Sequence, residues 1–185
     1  EIVGVPWDVP VVGFGAKTVN FLRLWESRAS NEFDLGAFNE GGYAQAVHEK
    51  AMSETISKVL YPNDKTENGK ILRLLQQYFF VSATMQSIMR KHIEVYGTAT
   101  NFHEKNVIQI NDTHPALVIP ELMRIFMDEY ELGWDEAWEL VKNSVAYTNH
   151  TVMVEALEKW DLELLRSVVP EICDILEKID TRLKK

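Results

Sequence analysis

Two short β-rich runs separated by helical patterns constrain the fold of this chain more than any other feature. Residues 107–110 (Val-Ile-Gln-Ile) and 144–147 (Ser-Val-Ala-Tyr) predict strands. Between them, apolar residues recur at helical spacing over 118–130 and 134–143. A strand–helix–helix–strand order favours parallel pairing of the two strands, so we expect a layered α/β fold.

A polar cluster follows each predicted strand, in residues 111–114 (Asn-Asp-Thr-His) and 148–151 (Thr-Asn-His-Thr). Ligands of parallel sheets bind at the carboxyl ends of the strands. This rule makes four side chains candidates for ligand binding: Asp112, His114, Asn149 and His150. Turn-forming hydrogen bonds explain such residues equally well without a ligand, and the pattern leaves both interpretations open.

Two other kinds of site are not expected. A zinc site needs three or four ligands, which His114, His150 and Glu155 could supply, but the sequence has neither H-E-x-x-H nor C-x-x-C. Residues 13–18 (Gly-Phe-Gly-Ala-Lys-Thr) lack the spacing of a phosphate-binding loop and are typical of a hairpin turn. We therefore expect neither a metal site nor a phosphate-binding loop.

The first third of the chain predicts a hairpin and then a helix of unusual character. Residues 1–30 alternate around Gly13-Phe14-Gly15, which indicates two strands joined by a turn. Residues 43–60 have a helical period with a thin stripe of mainly small apolar residues. Such a weakly amphipathic helix is typical of one that projects into solvent or contacts a partner.

Further helices are expected along the rest of the chain. An exposed loop over 61–69 precedes a long helix over 70–96, which has a strong apolar stripe. Pro120 fits a helix only in its first turn, so the helix after the first polar cluster is expected to begin near Val118. After residue 151 we expect helix to the end of the chain, broken only at Pro170.

Composition narrows the class of protein. Of 185 residues, 46% are apolar and 25% charged, as in ordinary globular proteins. The net charge of −9 argues against a nucleic-acid or acidic-membrane surface, and no run of about 18 apolar residues predicts a membrane span. The single cysteine, Cys173, favours a reducing compartment such as the cytoplasm. The first residues lack an initiator Met and a signal-peptide pattern, so we expect a piece of a longer protein.

Several motifs occur in a characteristic order: Leu-Arg-Leu-Trp at 22–25, Val-Leu-Tyr-Pro-Asn-Asp at 59–64, Asn-Asp-Thr-His-Pro at 111–115, Ile-Pro-Glu-Leu-Met-Arg at 119–124, Tyr-Thr-Asn-His-Thr at 147–151 and Glu-Ala-Leu-Glu-Lys-Trp at 155–160. With these motifs the chain resembles the α-glucan phosphorylases of glycogen, starch and maltodextrin. The resemblance runs from about residue 5 to the end of the chain. It implies part of a doubly wound, GT-B-like N-terminal domain, with parallel strands, several helices and an N-terminal β-hairpin.

The resemblance also implies an activity. Enzymes of this family are glycosyltransferases that cleave α-1,4-glucans with inorganic phosphate and release glucose 1-phosphate with retention of configuration. They carry pyridoxal phosphate on a lysine of a C-terminal domain, which this chain does not include. The chain would then supply the sugar-binding half of the cleft, and we expect it to be inactive alone.

Site residues follow from the same motifs. The resemblance gives the catalytic role to His150, which contacts the glucosyl hydroxymethyl group and presents its backbone carbonyl near the anomeric carbon. Five residues match substrate-binding positions beside it: Asp112, His114, Asn149, Thr151 and Ala156. Asn63 and Asp64 match the start of a gate loop, placed here at residues 62–69, which covers the entrance to the site.

Two further matches concern assembly and regulation. Residues 43–57 correspond to a tower helix that forms the family's homodimer. Arg90 matches a phosphate-binding arginine of the nucleotide-regulated animal enzymes, but its neighbour is Lys91 rather than a second arginine. The gate loop continues as Lys-Thr-Glu-Asn-Gly at 65–69 and lacks an aromatic pair, and Val154 replaces a usual proline. Lys91 and the gate loop without an aromatic pair favour a bacterial, poorly regulated type.

Two other functions remain as alternatives. A stand-alone sugar-binding or dimerisation module would use residues 43–57 as its interface and perform no catalysis. A glycosidase would need two facing carboxylates at a defined separation, which a sequence does not reveal.

Overall fold

A computed structural model describes residues 2–30, 33–153 and 157–184. The chain forms two compact units, Glu1–Phe79 and Phe80–Lys185. Within these described ranges, no helix combines the length and apolar character needed to cross a membrane. The architecture is mixed α/β, with an N-terminal hairpin, a parallel strand pair and several helices, as the sequence predicts.

The hairpin consists of β1 (Ile2–Val12) and β2 (Val19–Ala29), which pair antiparallel along their whole length. Gly15 lies in the turn with a φ of +66°, a conformation that glycine adopts without steric cost. Across the strands, Arg23 donates two hydrogen bonds of 2.6 Å to Asp8. These bonds favour the ionised carboxylate and lower the pKa of Asp8.

Three short helices follow: α1 (Leu35–Asn39), α2 (Tyr43–Ala46) and α3 (His48–Thr55). The prediction of a single helix over 43–60 is therefore wrong, because the helix is interrupted at Val47 and ends at Thr55. A contact with β2 explains why α3 ends early. Ser57 donates its backbone N–H to the Ser27 hydroxyl, at 3.1 Å, instead of to a carbonyl of the preceding turn.

The long helix α4 (Glu67–Tyr96) begins three residues earlier than predicted, so residues 67–69 belong to a helix and not to a loop. The hydroxyl of Thr66 accepts a hydrogen bond from the Gly69 N–H at 3.1 Å and satisfies one of the open donors of the first turn. The apolar stripe of α4 is confirmed by buried positions along its length: Leu74, Met85 and Met89.

The second unit contains α5 (Phe102–Lys105), β3 (Ile108–Asn111), α6 (Val118–Arg124), a π-helical turn (Ile125–Glu129), α7 (Trp134–Ser144), β4 (Val145–Thr148), α8 (Leu162–Val168) and α9 (Pro170–Leu183). β3 and β4 pair parallel, which confirms the pairing that the sequence predicts. Helix α6 packs against α7 and α9 around fully buried side chains, including Leu122, Phe126 and Ile172.

One prediction for this unit needs correction. The described residues between 151 and 161 are not helical, and helix resumes only at Leu162. Asp161 determines this start, because its carboxylate accepts hydrogen bonds from the backbone N–H groups of Glu163 and Leu164 at 2.9 and 3.1 Å. Such a side-chain cap satisfies donors that have no partner within the helix.

Candidate functional site

The two polar clusters lie side by side at the carboxyl ends of β3 and β4. The strand register places Asn111 opposite Thr148. The backbone N–H of Asp112 donates to the Thr148 carbonyl at 2.8 Å, so hydrogen bonding between the two chain segments continues one residue beyond β3. The side chain of Gln109 also donates to the Thr148 hydroxyl at 2.9 Å. Parallel pairing therefore brings together residues that are almost forty positions apart in the sequence.

Asp112 connects the two clusters directly. Its backbone has a φ of +62°, a left-handed conformation that aspartate tolerates better than most residues. In this conformation its carboxylate accepts a hydrogen bond from the His150 backbone N–H at 2.9 Å. The His150 ring also lies near Asn111, with 3.3 Å between Nε2 and the Asn111 side-chain oxygen. The position of His150 thus depends on the end of the neighbouring strand.

His114 is held from further along the chain. Its Nδ1 lies 3.3 Å from a carboxylate oxygen of Glu158, whose side chain is only 13% exposed. The Glu158 backbone N–H donates to the Thr113 hydroxyl at 3.3 Å. Thr113 and Glu158 are not among the site residues that the sequence predicts, because neither residue type nor spacing sets them apart from ordinary loop residues.

Asn149 and Thr151 make local hydrogen bonds of the turn type. The Asn149 side chain accepts from the Thr151 N–H, and the Thr151 hydroxyl accepts from the Met153 N–H, both at 3.2 Å. Asn149 and His150 are exposed, and Thr151 is half-buried. Ala156, together with Val154 and Glu155, lies outside the described residues.

The site offers hydrogen-bond donors and acceptors beside an open surface. Imidazole, carboxylate and amide groups at this edge can bind a polyhydroxylated ligand, since each hydroxyl both donates and accepts. Within residues 2–30, 33–153 and 157–184, no group of three His, Cys, Asp or Glu side chains is arranged to hold a metal ion. The donors and acceptors at the strand ends are suited to binding and orienting a polar organic ligand.

Asn63 and Asp64 belong to the first unit. The Asn63 side chain accepts from the Lys65 N–H at 3.0 Å, and Arg73 of α4 donates to Asp64 at 3.0 Å. Buried Gln76 holds the preceding segment, since it accepts from the Tyr61 N–H and donates to two backbone carbonyls. A lone glutamine on a helix gives no sequence signal for such a role.

Arg90 is exposed on α4. Burial raises the pKa of Tyr130, and the positive charge of Arg90 partly opposes that effect.

His92, two residues after Arg90 on α4, is buried, unlike the exposed Arg90. Its Nε2 lies 2.9 Å from the Thr98 carbonyl, and Asn106 donates to its Nδ1 at 2.9 Å. These bonds require a proton on Nε2, so the His92 ring has a structural role.

Comparison with known proteins places these features in a family. Residues 1–185 match the family model described as carbohydrate phosphorylase. The chain is 48% identical to the liver form of glycogen phosphorylase from Homo sapiens over 98% of its length, and 45% identical to glycogen phosphorylase from Synechocystis sp., also over 98%. It is 48% identical to glycogen phosphorylase 2 from Dictyostelium discoideum over its whole length. The chain spans 22%, 21% and 19% of these relatives, about a fifth of each.

Proposed function

This chain belongs to the carbohydrate phosphorylase family, and from that premise we propose that it forms part of an α-1,4-glucan phosphorylase. The enzyme would transfer the terminal glucosyl unit of glycogen or maltodextrin to inorganic phosphate and release glucose 1-phosphate. This chain would supply the sugar-binding half of the cleft. Glycogen phosphorylases that are 45% and 48% identical to it support the proposal.

The hydrogen bond between the Asp112 carboxylate and the His150 N–H is the observation that carries this proposal. It holds the backbone of the proposed catalytic histidine at the carboxyl end of a parallel strand pair, where ligands of such sheets bind. Asp112 adopts an unfavourable backbone conformation to make this bond. Such strain is typical of positions where a binding geometry must be fixed.

His150 would act on the substrate in two ways. Its side chain would bind the glucosyl hydroxymethyl group, and its backbone carbonyl would face positive charge that develops at the anomeric carbon. A dipole held in advance stabilises that charge without reorganisation during the reaction. Asp112, His114, Asn149, Thr151 and Ala156 would contribute the surrounding sugar contacts.

The cofactor of this family, pyridoxal phosphate, would supply the acid–base chemistry at the substrate phosphate. A Schiff-base lysine is enclosed by protein, whereas every lysine in the described part of this chain is at least partly exposed. The residues present therefore do not fit a site for this cofactor. We place the cofactor on the rest of the enzyme.

Three further features of the enzyme belong to the proposal. Asn63 and Asp64 would begin the gate loop over 62–69, whose last three residues form the first turn of α4. Residues 43–57 would form the homodimer contact, which is supported by exposed apolar side chains at Tyr43, Val47 and Met52. Arg90 would occupy the family's phosphate-binding position, beside Lys91 instead of a second arginine, in a cytoplasmic enzyme that nucleotides regulate poorly.

Replacing His150 with alanine in the full-length enzyme tests the proposal. The variant loses the side-chain hydrogen bond to the sugar but keeps the backbone carbonyl, so we expect kcat/KM for maltodextrin phosphorolysis to fall about tenfold. The rate of glucose 1-phosphate release measures the effect. His103→Ala serves as the matched control, since His103 lies on α5 and not at the ends of the strands. An unchanged rate for the His150 variant would contradict the assigned role.

The isolated 185-residue chain is expected to release no glucose 1-phosphate from maltodextrin. It lacks the part of the enzyme that would bind the cofactor and the phosphate, so only part of the reacting assembly is present. The assay supplies pyridoxal phosphate, phosphate and maltodextrin, with the full-length enzyme as positive control. Turnover by the chain alone would refute the proposed division of the site, whereas maltodextrin binding without turnover fits it.

A further inference from the structure

We propose that Glu158, held by Thr113, is a positioning residue that fixes the His114 ring with its proton on Nδ1. This inference rests on the proposed function, because it takes His114 to be a sugar contact. It assigns roles to two residues that do not themselves touch the sugar. Both act through His114, and neither is a catalytic residue.

Three consecutive side chains of the strand-end loop hold the segment that follows β4. The carboxylate of Asp112 binds the His150 N–H at 2.9 Å, near the beginning of that segment. The hydroxyl of Thr113 accepts from the Glu158 N–H, and the ring of His114 meets the Glu158 carboxylate, both at 3.3 Å. Positions 150 and 158 are thus attached to one short loop, although residues 154–156 between them lie outside the described part of the chain.

The environment of Glu158 explains why this contact orients the ring. Its side chain is 13% exposed, whereas that of His114 is 37% exposed. A carboxylate with so little access to water needs hydrogen-bond donors, and the imidazole lies within reach. The bond from Thr113 holds the backbone of Glu158 at the same time. The carboxylate therefore has a defined place from which to orient the more exposed ring.

The chemistry of the contact determines the tautomer. A carboxylate only accepts hydrogen bonds, so Nδ1 of His114 must carry the proton that it shares with Glu158. In a neutral ring the acceptor is then Nε2, an atom to which a sugar hydroxyl can donate. Glu158 would in this way select both the rotamer and the hydrogen-bonding character that His114 presents to the substrate.

Ring ¹⁵N NMR of the 185-residue chain tests the tautomer without any need for activity. We expect protonated Nδ1 for His114, assigned with His114→Gln, and loss of that preference in Glu158→Ala. His92 is an internal control, because its contacts require the proton on Nε2. A wild-type His114 ring protonated only on Nε2 overturns the proposal, whatever the variants do.

Kinetics of the full-length enzyme tests the positioning role. Glu158→Ala is expected to raise KM for maltodextrin about tenfold and to change kcat less than threefold. Glu158→Gln should recover most of the affinity, since its carbonyl still accepts from Nδ1. Thr113→Val should weaken maltodextrin binding, whereas Thr113→Ser, which keeps the hydroxyl, should bind maltodextrin as the wild type does. The matched controls are Thr181→Val on α9 and Glu163→Ala on α8.

The two experiments separate the possible failures. A full-length enzyme without phosphorolysis would contradict the proposed function, while the NMR result would still decide the contact between Glu158 and His114. An unchanged KM in Glu158→Ala, or a Glu158→Gln variant no better than alanine, overturns the positioning role.

Discussion

Replacing Glu121 with alanine is expected to lower the free energy of unfolding by about 3–5 kcal/mol. The Glu121 side chain is completely buried and accepts two hydrogen bonds of 2.9 Å from Arg124 and one of 2.7 Å from Ser82. The side chain of Arg124 is only 14% exposed. The variant therefore removes a bidentate partner from a guanidinium that water solvates poorly, and leaves a cavity; Arg124 keeps its 3.1 Å contact with Glu129, which places the expected loss at the lower end of this range.

Urea unfolding followed by circular dichroism measures this loss. Glu121→Gln keeps an acceptor but removes the charge, so it should cost less than the alanine variant. Arg166→Ala is the matched control, since Arg166 pairs with Asp174 and Glu177 at the surface. Exposed pairs contribute about 0–1 kcal/mol. A loss below about 1 kcal/mol for Glu121→Ala would show that the buried pair stabilises the fold no more than a surface pair does.

Gly69→Ala is expected to destabilise the chain by about 2–3 kcal/mol, although alanine favours helix by up to about 1 kcal/mol over glycine. A Cβ atom on residue 69 would lie 1.9 Å from the Asn63 carbonyl oxygen and 3.0 Å from its carbon. These are backbone atoms, so no side-chain rotation relieves the overlap. The segment that contains Asn63 and Asp64 must move, and the free-energy cost of this movement outweighs the gain in helix propensity.

Gly133→Ala provides the matched control for this substitution. A Cβ on Gly133 meets nothing within 4 Å, so its effect should stay below about 1 kcal/mol. Urea unfolding compares the two variants, and amide chemical shifts of residues 62–66 report the displacement. If Gly69→Ala proves as stable as the wild type and leaves those shifts unchanged, the close approach of α4 to Asn63 is absent in solution.

The strand-end site shows what periodicity and strand order can predict. Alternating and helical patterns predict two strands with helices between them, and the observed strands differ from the prediction by one residue at their ends. Parallel pairing is favoured by the connection, because strands joined by a long helical crossover rather than a tight turn usually pair parallel. The sequence therefore predicts that Asp112 and His150 lie at the same edge of the sheet.

Local sequence patterns do not predict the structure where a distant contact competes with local preference. Residues 43–60 have a helical period, but a hydrogen bond from Ser57 to Ser27, thirty residues away, ends the helix early. The sequence makes no prediction of burial for His92, yet packing of Asn106 and Phe102 around it makes it part of the core. Neighbouring residues in the sequence do not reveal these partners.

The amino-acid sequence by itself determined the mixed α/β class, the N-terminal hairpin and the two polar clusters, because these depend on short-range periodicity and turn chemistry. Its motifs also indicated the family. Only the tertiary structure showed that Thr113 and His114 meet Glu158 and that Asp112 holds the His150 backbone. Those contacts join residues 38 to 45 positions apart. They form only when the chain brings the strand ends together, so no spacing in the sequence encodes them.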